Sequence, residues 1–316
     1  MKNVICFGEM LIDFVAETPG GALAEAQVFS KKAGGAPANV AAAVSLLGGN
    51  SYFVGCVGKD AFGTFLIDTI SEIGINTQFV TRSDVFTTLA FVALDETGER
   101  EFVFSRGADA MLKYNPELRT KFVNDIFHFG AATSFLGGEL EAAYYNHLLD
   151  AVTSGSLISF DPNFRIDLWK GRETIFVEKV MPYLRHTHFG KFSEEEAMLI
   201  TGRKALKEAC ADLHDLGVMS LAITLGANGV LISNGTSSEL VDSIKVNPKD
   251  TTGAGDAFVG CFLWQLSKYE SPLKELNDLN KLCTMATLAN KAGAITTLNY
   301  GAIPAMPDLR RLSDYE

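Results

Sequence analysis

The stretch Asp250-Thr251-Thr252-Gly253-Ala254-Gly255-Asp256-Ala257-Phe258 carries residue types and spacings that chemistry can use. Two glycines and an aspartate stand where a loop gives way to an apolar helical pattern. The first N–H groups of a helix have no intrahelical acceptor, and the helix dipole makes that end attractive to an anion. Gly253, Ala254 and Gly255 can turn such groups toward one point. Asp256 falls in the first turn, where a carboxylate repels an anion unless it has a task such as taking a proton from an attacking hydroxyl. An anion hole beside a base is an arrangement for moving a phosphoryl group onto an alcohol. The structural alternative is a buried aspartate that caps its own helix.

Other segments supply candidate ligand groups. In Ala33-Gly34-Gly35-Ala36-Pro37-Ala38-Asn39-Val40-Ala41, two glycines allow a close backbone approach and Pro37 suits a first helical turn. Asn39 then offers a paired donor and acceptor for hydroxyls. A plain helix start after a glycine turn fits the same residues. The segment is neither G-x-G-x-x-G nor G-x-x-x-x-G-K-[ST]. Asp13 is expected just past the first strand, at the end where ligands of open α/β sheets collect, and can accept from two hydroxyls. It reads equally as a turn aspartate. Arg165, in Asp161-Pro162-Asn163-Phe164-Arg165, has the planar fork that suits phosphate oxygens, or is a surface arginine. Ser193 and Glu196 have the spacing of a capping box. Glu196 also suits a hydrated Mg²⁺, which keeps most of its waters. Thr224-Leu225-Gly226-Ala227-Asn228-Gly229 could pass close to a nucleotide. His186 and His188 lack the companions of a zinc site and read as structural.

These groups need a frame. Short apolar runs at Val4–Phe7, Tyr52–Val57, Ile126–Phe129, Leu157–Phe160, His188–Gly190 and Leu221–Thr224 predict buried strands. Helical patterns lie between them at Ala38–Leu47, Phe62–Ile73, Leu140–Val152, Glu173–Leu184 and Lys204–Leu216. Such alternation predicts an α/β chain with a mostly parallel sheet and helices on both faces. Val230–Ser233 predicts an antiparallel partner, followed by long helices over Ala254–Leu266 and Leu273–Ala292. Phe14–Glu17, Val28–Lys32, Thr87–Leu94 and Glu101–Phe104, the last two around a turn at Asp95–Glu99, predict a small separate sheet. We read it as a lid made of two insertions, at about 14–33 and 86–107, on a single domain spanning 1–316. Edge strands of the main sheet are the alternative.

Bulk properties narrow the partners. With 316 residues the chain can bury a large core. Its 27 basic and 38 acidic residues give a net charge of −11, which argues against nucleic acid but not against a small anion held by local amides. No apolar run is long enough to span a bilayer, and the N-terminus lacks a signal-peptide pattern. Five scattered cysteines, in apolar contexts, predict reduced core thiols in a cytoplasmic protein.

Gly34-Gly35-x-x-x-Asn39 early and Thr252-Gly253-Ala254-Gly255-Asp256 late make the chain resemble the ribokinase-like sugar kinases over essentially its whole length. Gly8-Glu9-Met10-Leu11-Ile12-Asp13, Asp161–Arg165 and Ala289-Asn290-Lys291-Ala292-Gly293-Ala294 make it most similar to the fructokinases among them. The resemblance implies a three-layer α/β/α fold with a β-sheet lid, often dimerising through that lid, and an ATP-dependent activity giving fructose 6-phosphate. It implies Asp256 as base, Gly253, Ala254 and Gly255 as anion hole, and Arg165 at the phosphoryl group. Asp13, Gly34, Gly35 and Asn39 would hold the sugar. Ser193, Thr224, Gly226, Gly229 and Asn290 would lie around ATP, Glu196 would hold Mg²⁺ through water, and Asp250 and Thr252 would belong to a monovalent-cation (K⁺) site. Arg106 follows Phe102-Val103-Phe104-Ser105. It matches a lid arginine that holds a carboxylate in 2-keto-3-deoxygluconate kinases, although phenylalanines replace the tyrosines of that pattern.

Overall fold

The computed structural model describes residues 1–17, 23–94, 100–130 and 132–315. In the strand β1 (Asn3–Phe7), Val4 and Cys6 point into one apolar core and Ile5 and Phe7 into another. An uninterrupted apolar run is what a strand covered on both faces requires. The remaining strands are β2 (Leu11–Ala16), β3 (Phe29–Gly34), β4 (Asn50–Gly58), β5 (Asn76–Ser83), β6 (Leu89–Leu94), β7 (Arg100–Ser105), β8 (Ile126–Gly130), β9 (Leu157–Asp161), β10 (Phe189–Ser193), β11 (Ser220–Thr224), β12 (Val230–Ser233) and β13 (Ser238–Val241). The main sheet runs β13-β12-β11-β10-β9-β8-β1-β4-β5. It is parallel except at β11–β12 and β12–β13.

One core holds side chains of the helices Ala36–Leu46, Ala61–Glu72, Ala254–Ser267 and Leu279–Thr296. The other holds those of Glu139–Thr153, Glu173–Leu184, Glu194–Thr201 and Leu206–Asp215. The result is the expected three-layer α/β/α sandwich. A second sheet, β3-β2-β6-β7, stands apart from it, built from the segments expected to form a lid. The turn expected at Asp95–Glu99 lies outside the described residues.

Several boundaries differ from expectation for identifiable reasons. β5 and β13 are edge strands of polar, largely exposed residues, so neither shows an apolar run. β10 begins after His188 and extends to Ser193, because the buried Lys191 interrupts the hydrophobic pattern without interrupting the strand. The helix expected over Leu273–Ala292 is two: Pro272–Glu275, then Leu279–Thr296, restarted by Asp278, whose carboxylate accepts from Lys281 N. Asp13 lies inside β2 of the small sheet, not in the loop after β1. His188 accepts from the backbone of Ile158 through Nδ1, a structural use. All five cysteines are free. No helix among the described residues is long and apolar enough to cross a membrane.

Two helix starts come together through small residues. A Cβ on Gly260 would lie 2.4 Å from Ala43 Cβ and 2.8 Å from the Val40 carbonyl oxygen. The alanine-rich Ala36–Leu46 helix therefore packs directly against the backbone of Ala254–Ser267, and the first turns of both face the same space.

Candidate active site

That space is a cavity of about 1000 Å³ between the small sheet and the carboxyl ends of the main-sheet strands. Parallel strands deliver their loops to one edge, so Asp161, Ser193 and Thr224 end up there together. Leu11, Val15, Val92, Phe102 and Phe104 supply an apolar wall from the small sheet.

Asp256 lines this cavity while remaining only 8% exposed. Its Oδ2 accepts a 2.8 Å hydrogen bond from Asn39 Nδ2. Burial pushes the carboxyl up to about 6; Asp161 adds to the rise, while the Asn39 bond, Arg165 and Lys191 oppose it. A carboxylate poised near neutrality is tuned for general base work. Asn39 Oδ1 is buried and has no partner, a cost a structure rarely carries without use.

The Ala254–Ser267 helix opens onto the cavity with no side-chain cap at its N-terminus. Gly253 precedes it with φ +78°, a left-handed conformation that strains other residues. Its missing Cβ would also stand 2.5 Å from Ala302 Cβ. Gly255 lines the cavity with Gly253, and Ala254 is the helix's first residue. The glycine-flanked helix start expected from the sequence is thus present, without a side-chain cap.

Beside it lies a charge cluster of which sequence reasoning had assigned only Glu196. Lys191 Nζ is 3.1 Å from Asp161 Oδ2 and 4.0 Å from Glu196 Oε2, and all three residues are buried. Burial opposes the ammonium charge, but Asp161, Glu196 and Asp256 outweigh it and hold Lys191 above the ordinary lysine range. Gly255 leaves room for this cation: a Cβ there would lie 3.3 Å from Nζ. A lysine inside an otherwise buried strand was the available sequence signal. Glu9 was also missed. It lines the cavity at 1% exposure, and burial pushes its carboxyl up to about 8, so it is mostly protonated at neutral pH.

Glu196 completes the expected capping box with Ser193. Its Oε2 accepts from Ser193 N and its Oε1 from Phe164 N, both at 2.7 Å. Arg165 is exposed at the cavity wall. Asp13 and Gly35 line the cavity too. Gly34 is what leaves space for the Asp13 carboxylate, because a Cβ there would lie 2.0 Å from Asp13 Oδ2. Asp250 Oδ1 accepts from Thr252 N and Oγ1, and its Oδ2 accepts from Gly301 N, knotting the loop before the Ala254–Ser267 helix to residue 301.

Six predicted residues do not line the cavity: Gly34 and Ala254, already placed beside it, and Arg106, Asn290, Gly229 and Gly226. Arg106 turns away: it pairs with Asp109 at 3.4 Å and donates to the carbonyls of Leu136 and Thr133. Asn290 donates through Nδ2 to the carbonyls of Val241 and Asp242, pinning the segment after β13. Gly229 packs so closely that a Cβ would lie 2.1 Å from Val241 O. Gly226 begins a short turn after β11, beyond Thr224, which does line the cavity.

The model of the pfkB family of carbohydrate kinases matches residues 1–309. The chain is 40% identical over 318 residues to "Probable fructokinase-7" of Arabidopsis thaliana, covering 98% of this chain and 91% of that one. It superposes on the crystal structure of fructokinase with bound ATP from Xylella fastidiosa with a TM-score of 0.87 and 31% identity, covering 98% and 97% of the two chains. A fructokinase double mutant from Vibrio cholerae O395, in a fructose-, ADP- and potassium-bound form, gives a TM-score of 0.85 at 29% identity over 99% and 97%. With a buried, raised carboxylate beside an open helix start, and matching this model over nearly its whole length, the chain belongs to the pfkB family of carbohydrate kinases.

Proposed function

We propose that the chain is an ATP-dependent fructokinase that phosphorylates the primary hydroxyl of fructose to give fructose 6-phosphate. The observation that carries this is Asp256, buried, tuned to about 6 and facing a cavity at an uncapped helix start. Asp256 takes the hydroxyl proton as that oxygen attacks the γ-phosphorus. The bond to the bridging oxygen breaks and ADP leaves with the electron pair. The N–H groups of Gly253–Gly255, with Arg165 and Lys191, stabilise charge on the transferred group. Asp13, Gly35 and Asn39 hold the sugar, and the small sheet closes over it. Ser193 and Thr224 lie toward ATP.

Metal assignments follow the donors available. No cluster of three or more His, Cys, Asp or Glu among the described residues could hold a metal ion. The Glu196 oxygens each already accept a backbone N–H, so Mg²⁺ carried by ATP fits there through water. When bound it neutralises phosphate charge. We assign a monovalent cation, K⁺, to the Asp250–Thr252 loop; the potassium-bound relative supports this. Val28 and Val103, exposed on the small sheet and its approach, support homodimerisation through that sheet. The free cysteines support a cytoplasmic location.

A panel of sugars at saturating ATP tests the reading. Fructose is expected to give the highest kcat/KM. Preference for 2-keto-3-deoxygluconate would reject it, and the engagement of Arg106 away from the cavity argues against that outcome. Absence of any sugar-dependent ATP consumption would leave only a sugar or nucleotide sensor on this scaffold.

Gly34→Ala should displace the Asp13 carboxylate from its present position. Loss of a hydrogen bond to a charged group costs about 1.5–3 kcal/mol, so the KM for fructose should rise roughly ten- to a hundredfold. The fold should survive, because the obstruction is a side chain that can rotate. Unchanged KM would remove Asp13 from the sugar site.

A further inference from the structure

We propose that Asn39 is a positioning residue for the base, its side-chain amide holding one oxygen of Asp256 so that the other faces the acceptor hydroxyl. This rests on Asp256 being the base. The contact is direct, at 2.8 Å between Asn39 Nδ2 and Asp256 Oδ2, and both residues are buried. Among the described residues no hydrogen bond engages Asp256 Oδ1. Asn39 is held in turn: its backbone N donates to Gly35 O at 2.9 Å, inside the first turn of the Ala36–Leu46 helix. That helix lies against Gly260 of the catalytic helix, where no Cβ fits. The backbone that carries the amide is therefore fixed against the Ala254–Ser267 helix.

The remaining charged groups around Asp256 come from β9, its following loop and β10. Asp161 opposes ionisation; Arg165 and Lys191 favour it; burial is the largest influence. The Asn39 bond is the largest opponent of burial. Its removal should therefore do two things at once: raise the pH at which Asp256 ionises, and free the carboxylate to rotate. Asn39 itself lines the cavity, while its unpartnered Oδ1 is buried. A contact from Asn39 to the sugar would by itself account for sugar affinity but not for control of the base.

The experiment is the pH dependence of kcat/KM for fructose, with kcat and KM resolved, in wild type, Asn39→Ala, Asn39→Asp and Asp256→Asn at saturating Mg²⁺-ATP. In the wild type an acid limb is expected near pH 6. A lost hydrogen bond to a charged group corresponds to a shift of roughly one to two pH units. Asn39→Ala should therefore move the limb upward by that amount and lower kcat at pH 7 roughly ten- to a hundredfold. Asn39→Asp keeps the side-chain shape and sets a second carboxylate against the first, so its limb should move further still. A raised KM with kcat and limb unchanged in both Asn39 variants would overturn positioning and leave a plain sugar contact. Wild-type turnover in Asp256→Asn would instead overturn the base assignment, and the proposal with it.

Discussion

Asp256→Asn is expected to lower kcat by roughly 10²–10⁴-fold, the usual worth of a general base, and to leave the protein more stable at neutral pH. The second half follows from linkage. Folding raises the Asp256 carboxyl from 3.8 to about 6, chiefly through burial. Between those values the folded state holds the proton more tightly than the unfolded chain, so stability falls as pH rises across that window and stays lower above it. A shift of about two units is worth about 3 kcal/mol. Asparagine carries no charge, still offers an oxygen to Asn39 Nδ2, and escapes this cost. Thermal unfolding should show the variant gaining stability at pH 7 and little or nothing near pH 4. Near-normal turnover in the folded variant would sink the base assignment. A loss of stability at pH 7 would show that the Asp256 charge supports the fold.

Lys191→Met should have the largest effect on stability. The ammonium is buried with Asp161 at 3.1 Å and Glu196 at 4.0 Å. Methionine fills similar volume but leaves two buried carboxylates facing each other without a cation. Removing one partner of a buried ion cluster typically costs about 3–5 kcal/mol. Burial already raises the Glu196 carboxyl, with Asp161 adding to it and Lys191 restraining it. Without Lys191 the Glu196 carboxyl takes up its proton at still higher pH, which relieves the repulsion in acid. Urea unfolding should accordingly show a deficit that is smaller at pH 5 than at pH 8. Because Lys191 also favours ionised Asp256, the acid limb of activity should move upward in the same variant. A deficit under about 1 kcal/mol at pH 8 would contradict the ion cluster's structural role.

Legibility differed between elements for physical reasons. β1, β8, β9 and β11 are buried along nearly their whole length and could be read from short, mostly apolar runs. β5 and β13 could not, since an edge strand needs no apolar run. β10 was truncated because a buried cation looks like a loop residue until its two carboxylate partners are known. Ser193 and Glu196 were recognisable as a capping box because both halves of that motif lie within one helical turn. Gly253 was recognisable because a loop entering a helix there needs the left-handed conformation that the structure has at φ +78°.

The chemistry of the site was written locally: a bare helix start at Gly253–Gly255, a carboxylate one residue later, and a glycine pair before Asn39. Each is a property of a single turn, and a single turn's residues determine it. Which side chains meet was decided elsewhere. Asn39 and Asp256 are 217 residues apart, and their contact depends on how closely two helices pack at Gly260. Arg106 has the same sequence whether it faces a ligand or Asp109, and only the position of the Thr133 and Leu136 carbonyls turned it away. Lys191 became part of the site because β9 and β10 are neighbours, which brings Asp161 to its ammonium. Short-range geometry follows from residue type, whereas burial, pairing and the resulting charge state follow from what the rest of the chain brings alongside.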